Sequence, residues 1–295
     1  MEHIDPSATK RIKRHKINIK ITKFIAYVFL SIGGLVTAFP LLWLLSSAFK
    51  PSNAVFAKPF KWLPNPMTIE NFVKGWNISV DYTFGHFLIN SIYLAVFVVI
   101  GTVFSSSLVA FGFARLKFKF KNILFILMLS TLMLPEQVTM IPVYLIFKNL
   151  GWLNTYLPFI VPSFLGGGAF YIFLIHQFIK GIPTELDESA RIDGASTLQI
   201  FWHIILPLSK PALFSVMIFK FMSIWNDFLE QLIYISDIQK YTVPLILRTL
   251  VDTTSVVSWG PLIALSLIAI VPPILLFFFA QSYFIEGIAT TGLKG

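Results

Sequence analysis

Three charged side chains and one asparagine in the largely apolar stretch at residues 211–235 are the groups best suited to bind a polar solute. They are Lys220, Asn226, Asp227 and Glu230. In one continuous helix, Asn226 and Glu230 would share a face that could meet a hydroxyl-rich solute. Asp227 would lie about 10 Å along the axis from Lys220, too far for a direct ion pair. We expect this cluster either to contact solute or to have a structural or gating role.

Glu136 is a further charged candidate, and it lies between two helix-breaking prolines, Pro135 and Pro142. Its carboxylate fits two interpretations, an outer gate or the cap of a re-entrant bend. Lys220 lies near the middle of its apolar stretch, where a charge is costly, so we expect it to face a second subunit or a watery path. The glycines at 166–168 predict close helix packing or a helix break.

Catalytic chemistry has little support in this sequence. His86, His176 and His203 lie on three separate segments without metal-ligand spacing, and cysteine is absent. The phosphate-loop pattern G-x-x-x-x-G-K-[ST] and the hydrolase patterns G-x-S-x-G and H-E-x-x-H do not occur. We therefore expect no catalytic residue and no metal or cofactor bound by this chain.

The elements that must position the polar groups are membrane helices. Hydrophobic residues make up 56% of the chain and charged residues 13%, against roughly 25% charged in soluble domains. An apolar helix needs about 20 residues to cross the hydrocarbon layer. The sequence predicts an all-α polytopic membrane protein, and its third span should end near Leu134 with a short outer helix following. The six expected spans are 24–49, 87–113, 122–147, 157–178, 211–235 and 261–284.

Basic residues set the expected orientation. Lysines and arginines cluster at 10–23 and 115–121, which places both segments in the cytoplasm by the positive-inside rule. The net charge of +9 is then a topological signal, not evidence for nucleic acid. A signal peptide fits poorly, because the first apolar run is too long and lacks an A-x-A site. We predict a cytoplasmic tail at 1–23, a membrane domain at 24–284 with a cytoplasmic loop at 179–210, and a second cytoplasmic tail at 285–295.

The loop at 179–210 is a polar island between two apolar spans. Thr184 is expected to cap a first short helix, with Asp187 three residues later. Gly194 suits the left-handed residue that closes a helix. Ser196 and Gln199 predict a capping box for a second helix, which Pro207 should stop.

The motif in this loop is Glu188-Ser-Ala-Arg-Ile-Asp-Gly194, followed after nine residues by Ile204-Ile-Leu-Pro207. It resembles the cytoplasmic EAA loop of bacterial ABC importer permeases, with Ser189 in place of the middle residue of the triplet. The rest of the chain resembles the carbohydrate-uptake, maltose-type branch, and its ending resembles the second of two paired permeases. The matching stretches are Phe39-Pro-Leu-Leu-Trp43, Ser46-Ser-Ala-Phe-Lys50, Pro64-Asn-Pro66, Asn71-Phe72, Asn90-Ser91, Phe111-Gly-Phe-Ala-Arg115, Pro135-Glu-Gln-Val-Thr-Met-Ile-Pro142, Asn154-Thr-Tyr156, Trp225-Asn-Asp-Phe228, Gln281-Ser-Tyr-Phe-Ile-Glu-Gly287 and Gly292-Leu-Lys-Gly295.

This resemblance implies a type I ABC importer permease fold in the bacterial inner membrane. It implies import of a sugar or oligosaccharide delivered by an extracytoplasmic binding protein, together with a second permease, in a heterodimer. It also implies two separate ATPase subunits, which would hold ATP and Mg²⁺ and receive the loop in a cleft. The residues expected to couple to the ATPase are Glu188, Ser189, Ala190, Asp193, Gly194, Ile204, Leu206 and Pro207.

Other interpretations stay open at this point. One is that the loop forms an ordinary amphipathic segment on the lipid headgroups. A DNA-binding helix-turn-helix is disfavoured, since Lys180, Arg191 and Lys210 are too few cations for phosphate contacts. A permease for another solute class, such as amino acids or peptides, is the nearest rival. A stand-alone secondary carrier is a second, and it should transport as a single purified chain.

Overall fold

The computed structural model describes the backbone of residues 6–59, 61–251 and 259–292, and the side chains of residues 20–59, 61–135, 137–251 and 259–281. Every regular element in these ranges is helical, as predicted. The α-helices are α1 Pro6–Ala48, α2 Glu70–Trp76, α3 Phe84–Arg115, α4 Lys121–Ser130, α5 Glu136–Asn149, α6 Leu157–Phe164, α7 Ala169–Lys180, α8 Glu185–Ile192, α9 Thr197–Ile200, α10 Leu206–Leu208, α11 Lys210–Asn226, α12 Leu229–Tyr234, α13 Val243–Thr249 and α14 Trp259–Gly292.

Four helical segments within the described residues are long and apolar enough to cross a membrane. Their bounds are Lys20–Ala48, Phe84–Arg115, Leu157–Lys180 and Trp259–Gln281. Two bent pairs raise the count to six if each pair is one span. One pair joins Lys121–Met133 to Gln137–Asn149 at 105°, and the other joins Thr197–Leu208 to Lys210–Asn226 at 75°. The predicted all-α polytopic architecture is therefore confirmed, and the predicted count of six is reached when each bent pair is taken as one span.

The third predicted span breaks where its prolines indicated. After α4 a short 3₁₀ turn ends at Met133, and Leu134 has an extended backbone with ψ of 119°. Proline pushes the residue before it out of the helical region, so Pro135 accounts for this break. The helix α5 then forms the short segment that was expected to follow Leu134.

The fifth predicted span is not one helix. Its first helix, α11, ends at Asn226, and Asp227 has an extended backbone with ψ of 121° before α12 begins. The expectation that Asn226 and Glu230 share one helical face is therefore wrong. Side chains satisfy the freed backbone groups, because Asp227 Oδ1 accepts from the Glu230 amide at 3.2 Å and Gln231 Nε2 donates to the Ile224 carbonyl at 2.9 Å.

The fourth span contains a glycine break that packs tightly against α3. Residues 166–168 separate α6 from α7, and all three glycines have positive φ. A Cβ on Gly167 would lie 2.9 Å from the Thr102 backbone. Ser106 Oγ donates to the Gly166 carbonyl at 3.1 Å, and Ser105 Oγ donates to the Ser163 carbonyl at 2.6 Å. The glycine run thus serves both predicted roles, a break and a close approach.

The chain divides into two compact units, residues 1–73 with 259–267 and residues 74–258 with 268–295. In the first unit, the buried Asn71 donates to the carbonyls of Ala48 at 3.0 Å and Lys50 at 2.6 Å, which satisfies the end of α1.

The second unit contains two buried clusters, and α3 contributes to both. One cluster includes Leu94, Val98, Phe159, Trp225 and Tyr234. The other includes Phe111, Ile175, Ile179, Phe201 and Ile205, so it joins α3 and α7 to the loop at 179–210.

Candidate coupling loop and membrane cavity

The first helix of the loop, α8, lies largely exposed. Its first turn carries Glu185, Asp187 and Glu188, which suits the positive end of a helix. Thr184 occupies the N-cap position, but its side chain makes no capping hydrogen bond, so the predicted Thr184 cap is wrong. Its backbone is already helical, with φ −74° and ψ −20°, whereas a capping side chain normally requires an extended backbone.

The turn after α8 is closed as its glycine predicted. Gly194 has φ of +84°, a conformation that side chains other than glycine rarely adopt. The amide of Gly194 donates to the Arg191 carbonyl at 3.1 Å, and the amide of Ala195 donates to the Ala190 carbonyl at 2.9 Å. These bonds satisfy carbonyls at the end of α8 and turn the chain sharply toward α9.

The second helix of the loop begins with the predicted capping box. Ser196 Oγ accepts from the Gln199 amide at 3.4 Å, and the Ser196 amide donates to Gln199 Oε1 at 2.7 Å. The chain then forms a π-helical segment, Phe201–Ile205, and continues into α10. The helical chain ends at Leu208, one residue after Pro207, and bends by 75° before α11, so the predicted stop is confirmed to within one residue. Proline lacks an amide donor and crowds the carbonyl four residues earlier, and the wider π turn just before it accommodates that ring.

The eight predicted coupling residues divide by exposure. Five are exposed and three are half-buried against the core. The exposed ones are Glu188, Ser189, Asp193, Gly194 and Pro207, and the half-buried ones are Ala190, Ile204 and Leu206. The loop also exposes apolar side chains, including Ile192 at 86% and Leu198 at 64%. An exposed surface of mixed apolar and acidic character is suited to docking another protein.

An ion pair that the sequence did not predict joins the loop to α3. Arg115 Nε lies 2.9 Å from Asp187 Oδ2, and the two side chains keep only 6% and 10% of their exposure. Arg115 Nη2 also donates to the Ile182 carbonyl at 2.7 Å. The available signal was the cation at the end of an apolar helix and the acid in a polar loop, but sequence alone does not pair them.

The polar candidates of the fifth span gather around one membrane cavity. It measures about 450 Å³, and Lys220, Asn226, Asp227 and Glu230 all line it. The helix break at Asp227 brings these groups together, although they do not share a helical face. The cavity is also lined by Gln137, Thr139, Met140, Val143, Met222, Ser223, Ile224, Leu229 and Tyr234.

Glu136 has a described backbone at the start of α5, but its side chain lies outside the described residues. The adjacent Gln137 lines the cavity of about 450 Å³. A second cavity of about 320 Å³ shares Lys220, Glu230 and Tyr234 with the first and reaches the glycine break at 166–168. Lys220 Nζ lies 5.7 Å from the ring centroid of Tyr171.

Comparison with known proteins decides the family. Residues 101–286 match the family described as "Binding-protein-dependent transport system inner membrane component". The chain belongs to this family. It is a permease subunit of an ABC transport system, as the resemblance of its loop predicted.

Relatives of the permease align over almost its whole length. "Probable ABC transporter permease protein YurM" of Bacillus subtilis (strain 168) is 36% identical, over 91% of this chain and 88% of that protein. "Arabinooligosaccharides transport system permease protein AraQ" of the same organism is 32% identical, over 96% and 99%. "sn-glycerol-3-phosphate transport system permease protein UgpE" of Yersinia pestis is 31% identical, over 89% and 94%.

A solved structure shares the fold of the permease. It is a chain of "a bacterial ABC transporter involved in the import of the acidic polysaccharide alginate", with a TM-score of 0.78 at 22% identity. The match covers 90% of this chain and 97% of that chain. The predicted type I ABC importer permease fold is therefore confirmed.

A loop of the permease at 235–241 is held by side chains from other elements. His86 Nε2 lies 2.7 Å from the Gln239 carbonyl, and Asn90 Nδ2 donates to the same oxygen at 2.9 Å. Asn154 Oδ1 accepts from the Asp237 amide at 2.9 Å. Tyr156 donates to the Lys240 carbonyl at 3.1 Å, and burial is the main cause that raises the pKa of this phenol to about 12, so it stays a donor at neutral pH.

His176 and His203 have packing or helix-end positions. His176 is buried against the Phe125 ring, at 4.4 Å between centroids. His203 Nδ1 lies 3.1 Å from the Gln199 carbonyl one turn earlier. Among the described residues, the permease has no group of three or more histidine, aspartate or glutamate side chains arranged to hold a metal ion.

Proposed function

We propose that this permease is one of two membrane subunits of an ATP-driven importer that moves a sugar or oligosaccharide delivered by an extracytoplasmic binding protein. The relative AraQ is named for an arabinooligosaccharide transport system and aligns with almost all of this chain. Separate ATPase subunits hold ATP and Mg²⁺. The chain itself performs no hydrolysis, which fits its lack of a phosphate-loop sequence.

The observation that carries this proposal is the cavity of about 450 Å³ between α5, α11 and α12. Its lining combines hydrogen-bonding groups with apolar side chains such as Met140 and Val143. Saccharides present hydroxyls to polar groups and apolar ring faces to apolar side chains. The solute path therefore includes Asn226, Asp227 and Glu230, with Glu136 near its edge.

The loop at 179–210 couples this cavity to the ATPase. Its exposed groups, above all Glu188, Ser189, Asp193 and Gly194, dock in a cleft of that partner. The loop packs against α3 and α7 through Ile200, Phe201 and Ile205. A shift imposed on the loop therefore reaches the helices around the cavity. ATP binding and solute delivery then bias one shared equilibrium between inward-open and outward-open states.

The permease resides in the bacterial inner membrane with both termini in the cytoplasm. This orientation places Arg115, Lys117, Lys119 and Lys121 on the same side as the docking loop, in agreement with the positive-inside rule. A basic tail at 1–23 and a short tail at 285–295 flank the membrane domain on that side.

A second solute class has a specific observation in its favour. Lys220 lines both cavities, and the relative UgpE is named for sn-glycerol-3-phosphate transport. A cation in a membrane cavity favours an anionic solute, such as a phosphorylated polyol. Asp227 and Glu230 line the same cavity and oppose that preference, so a neutral saccharide remains our main proposal.

Reconstitution tests the proposal. The permease, its partner permease, the ATPase and the binding protein are assembled in proteoliposomes, and uptake of labelled oligosaccharides and of glycerol phosphate is measured with and without ATP. We expect ATP-dependent oligosaccharide uptake and stimulation of the ATPase by the loaded binding protein. Uptake by this chain alone without ATPase would show a stand-alone carrier, and uptake of only the phosphorylated polyol would assign the second solute class.

A further inference from the structure

The two helices of the docking loop are attached to the membrane body by different forces. The segment from α9 to Ile205 buries Ile200, Phe201 and Ile205 to 1% exposure or less. The helix α8 has one fully buried residue among those described, and that residue is Asp187. Its apolar side chains Leu186 and Ile192 are exposed. The hydrophobic effect therefore holds the second helix strongly and the first helix weakly.

Asp187 is buried because Arg115 compensates its charge. The contact of 2.9 Å joins α8 to Arg115, the last residue of the long helix α3. The other carboxylate oxygen, Oδ1, and Arg115 Nε are both buried without a hydrogen-bond partner among the described residues, so the 2.9 Å contact is an attraction between charges. A buried carboxylate is costly unless it is paired, so this guanidinium stabilises α8 in its position against α3.

Arg115 also holds the chain that leads into α8. Its Nη2 donates to the carbonyl of Ile182, three residues before α8 begins. The planar guanidinium thus contacts the entry to α8 and its first turn together, which a lysine ammonium is poorly shaped to do. At the other end of α8, the turn at Gly194 leads into the second helix, which the buried side chains of Ile200, Phe201 and Ile205 hold in place.

We propose that Arg115 is a positioning residue that makes α8 move as one body with α3. A movement that the ATPase imposes on the exposed loop is then transmitted directly to the second membrane span. This inference rests on the proposed function. Without the ion pair, α8 remains attached through the Gly194 turn, its entry segment and the half-buried Ala190. Part of the ATPase motion is then absorbed by displacement of α8 against α3.

Coupling measurements test the proposal in the assembled transporter. We expect Arg115→Gln and Asp187→Asn each to lower solute uptake per ATP hydrolysed by about fivefold or more, while ATPase activity persists. The double variant should lose no more than either single one, because both remove the same contact. Arg115→Lys should recover part of the ratio. The matched control is Lys117→Gln, an exposed cation two residues away, which should leave the ratio unchanged.

A distance measurement keeps the test decisive if a variant assembles poorly. The chain has no cysteine, so Lys119→Cys and Glu185→Cys, both exposed, accept nitroxide labels selectively. In the assembled transporter, we expect the distance distribution between the labels to broaden with Asp187→Asn and to stay narrow with Lys117→Gln. An unchanged distribution, an unchanged uptake ratio in Arg115→Gln, or additive losses in the double variant would each overturn the proposal. Failure of saccharide uptake by the unmodified transporter would overturn the proposed solute and leave this distance test intact.

Discussion

Arg115 Nε lies 2.9 Å from Asp187 Oδ2, and this contact links the end of one membrane helix to the first turn of the exposed docking helix. Most of the loop's other attachments are apolar and lie in its second half. The docking loop is therefore attached to the membrane helices in two ways, by apolar packing and by an ion pair. Apolar packing holds the second helix because its side chains leave water, whereas the ion pair holds α8 by the attraction of two buried charges.

Removal of the buried acid should destabilise the permease. We expect Asp187→Ala to cost about 3–5 kcal/mol of local stability, because it leaves the Arg115 guanidinium buried without its partner. Proteolysis of the loop and the melting temperature of the purified permease measure this effect. The control Asp193→Ala removes an exposed acid in the same loop. We expect it to change the free energy of unfolding by no more than a few tenths of a kcal/mol, so proteolysis and the melting temperature should stay nearly unchanged.

Gly194→Val should uncouple the transporter without preventing membrane insertion. A Cβ at Gly194 would meet open space, so the cost of about 1–2 kcal/mol comes from the positive φ and not from a clash. Gly194→Asn should be tolerated better, since asparagine adopts this conformation more readily. Binding of the ATPase to the permease and solute uptake are the measurements, and equal activity of the two variants would contradict the strain argument.

The charge of the exposed Glu188 should matter for ATPase docking and not for folding. We expect Glu188→Lys to leave the yield and melting temperature of the permease unchanged, because this side chain is exposed. Copurification of the ATPase and solute uptake should both fall. Normal uptake in this variant would count against the proposed docking role, and Lys210→Glu, an exposed reversal elsewhere in the loop, is the matched control.

Substitution of Gly167 should disrupt the contact between the fourth span and α3. Gly167→Ala places a Cβ 2.9 Å from the Thr102 backbone and also forces alanine into a positive φ. We expect loss of folded permease, measured as the monodisperse fraction in size-exclusion chromatography. Gly112→Ala lies in α3 with open space around it, so that control should fold normally.

The cavity residues should affect transport more than stability. Glu230→Gln and Asn226→Ala are expected to lower saccharide uptake several-fold while basal ATPase activity and assembly persist, since loss of one hydrogen bond to a bound solute costs about 0.5–1.5 kcal/mol or more. Asn149→Ala, an exposed amide at the end of α5, serves as the control. If the cavity variants and the control behave alike, the solute passes elsewhere.

Local patterns in the sequence predicted much of this protein correctly. The capping box at Ser196 and the left-handed Gly194 depend on residues within one turn of each other, so their spacing predicts them. The break near Leu134 follows from the proline after it. The Thr184 cap and the continuous fifth helix were wrong, because in both cases the outcome depended on backbone geometry that neighbouring elements impose.

The sequence by itself determined the membrane architecture, the family and the presence of a capped docking loop, since these depend on run length, composition and short-range spacing. Only the tertiary structure decided which distant groups meet. It paired Arg115 with Asp187, and it brought Gln137 and Tyr234 to the same cavity as Lys220. The physical reason is that helix packing and helix breaks set these distances, and neither is encoded in the spacing of the residues that come together.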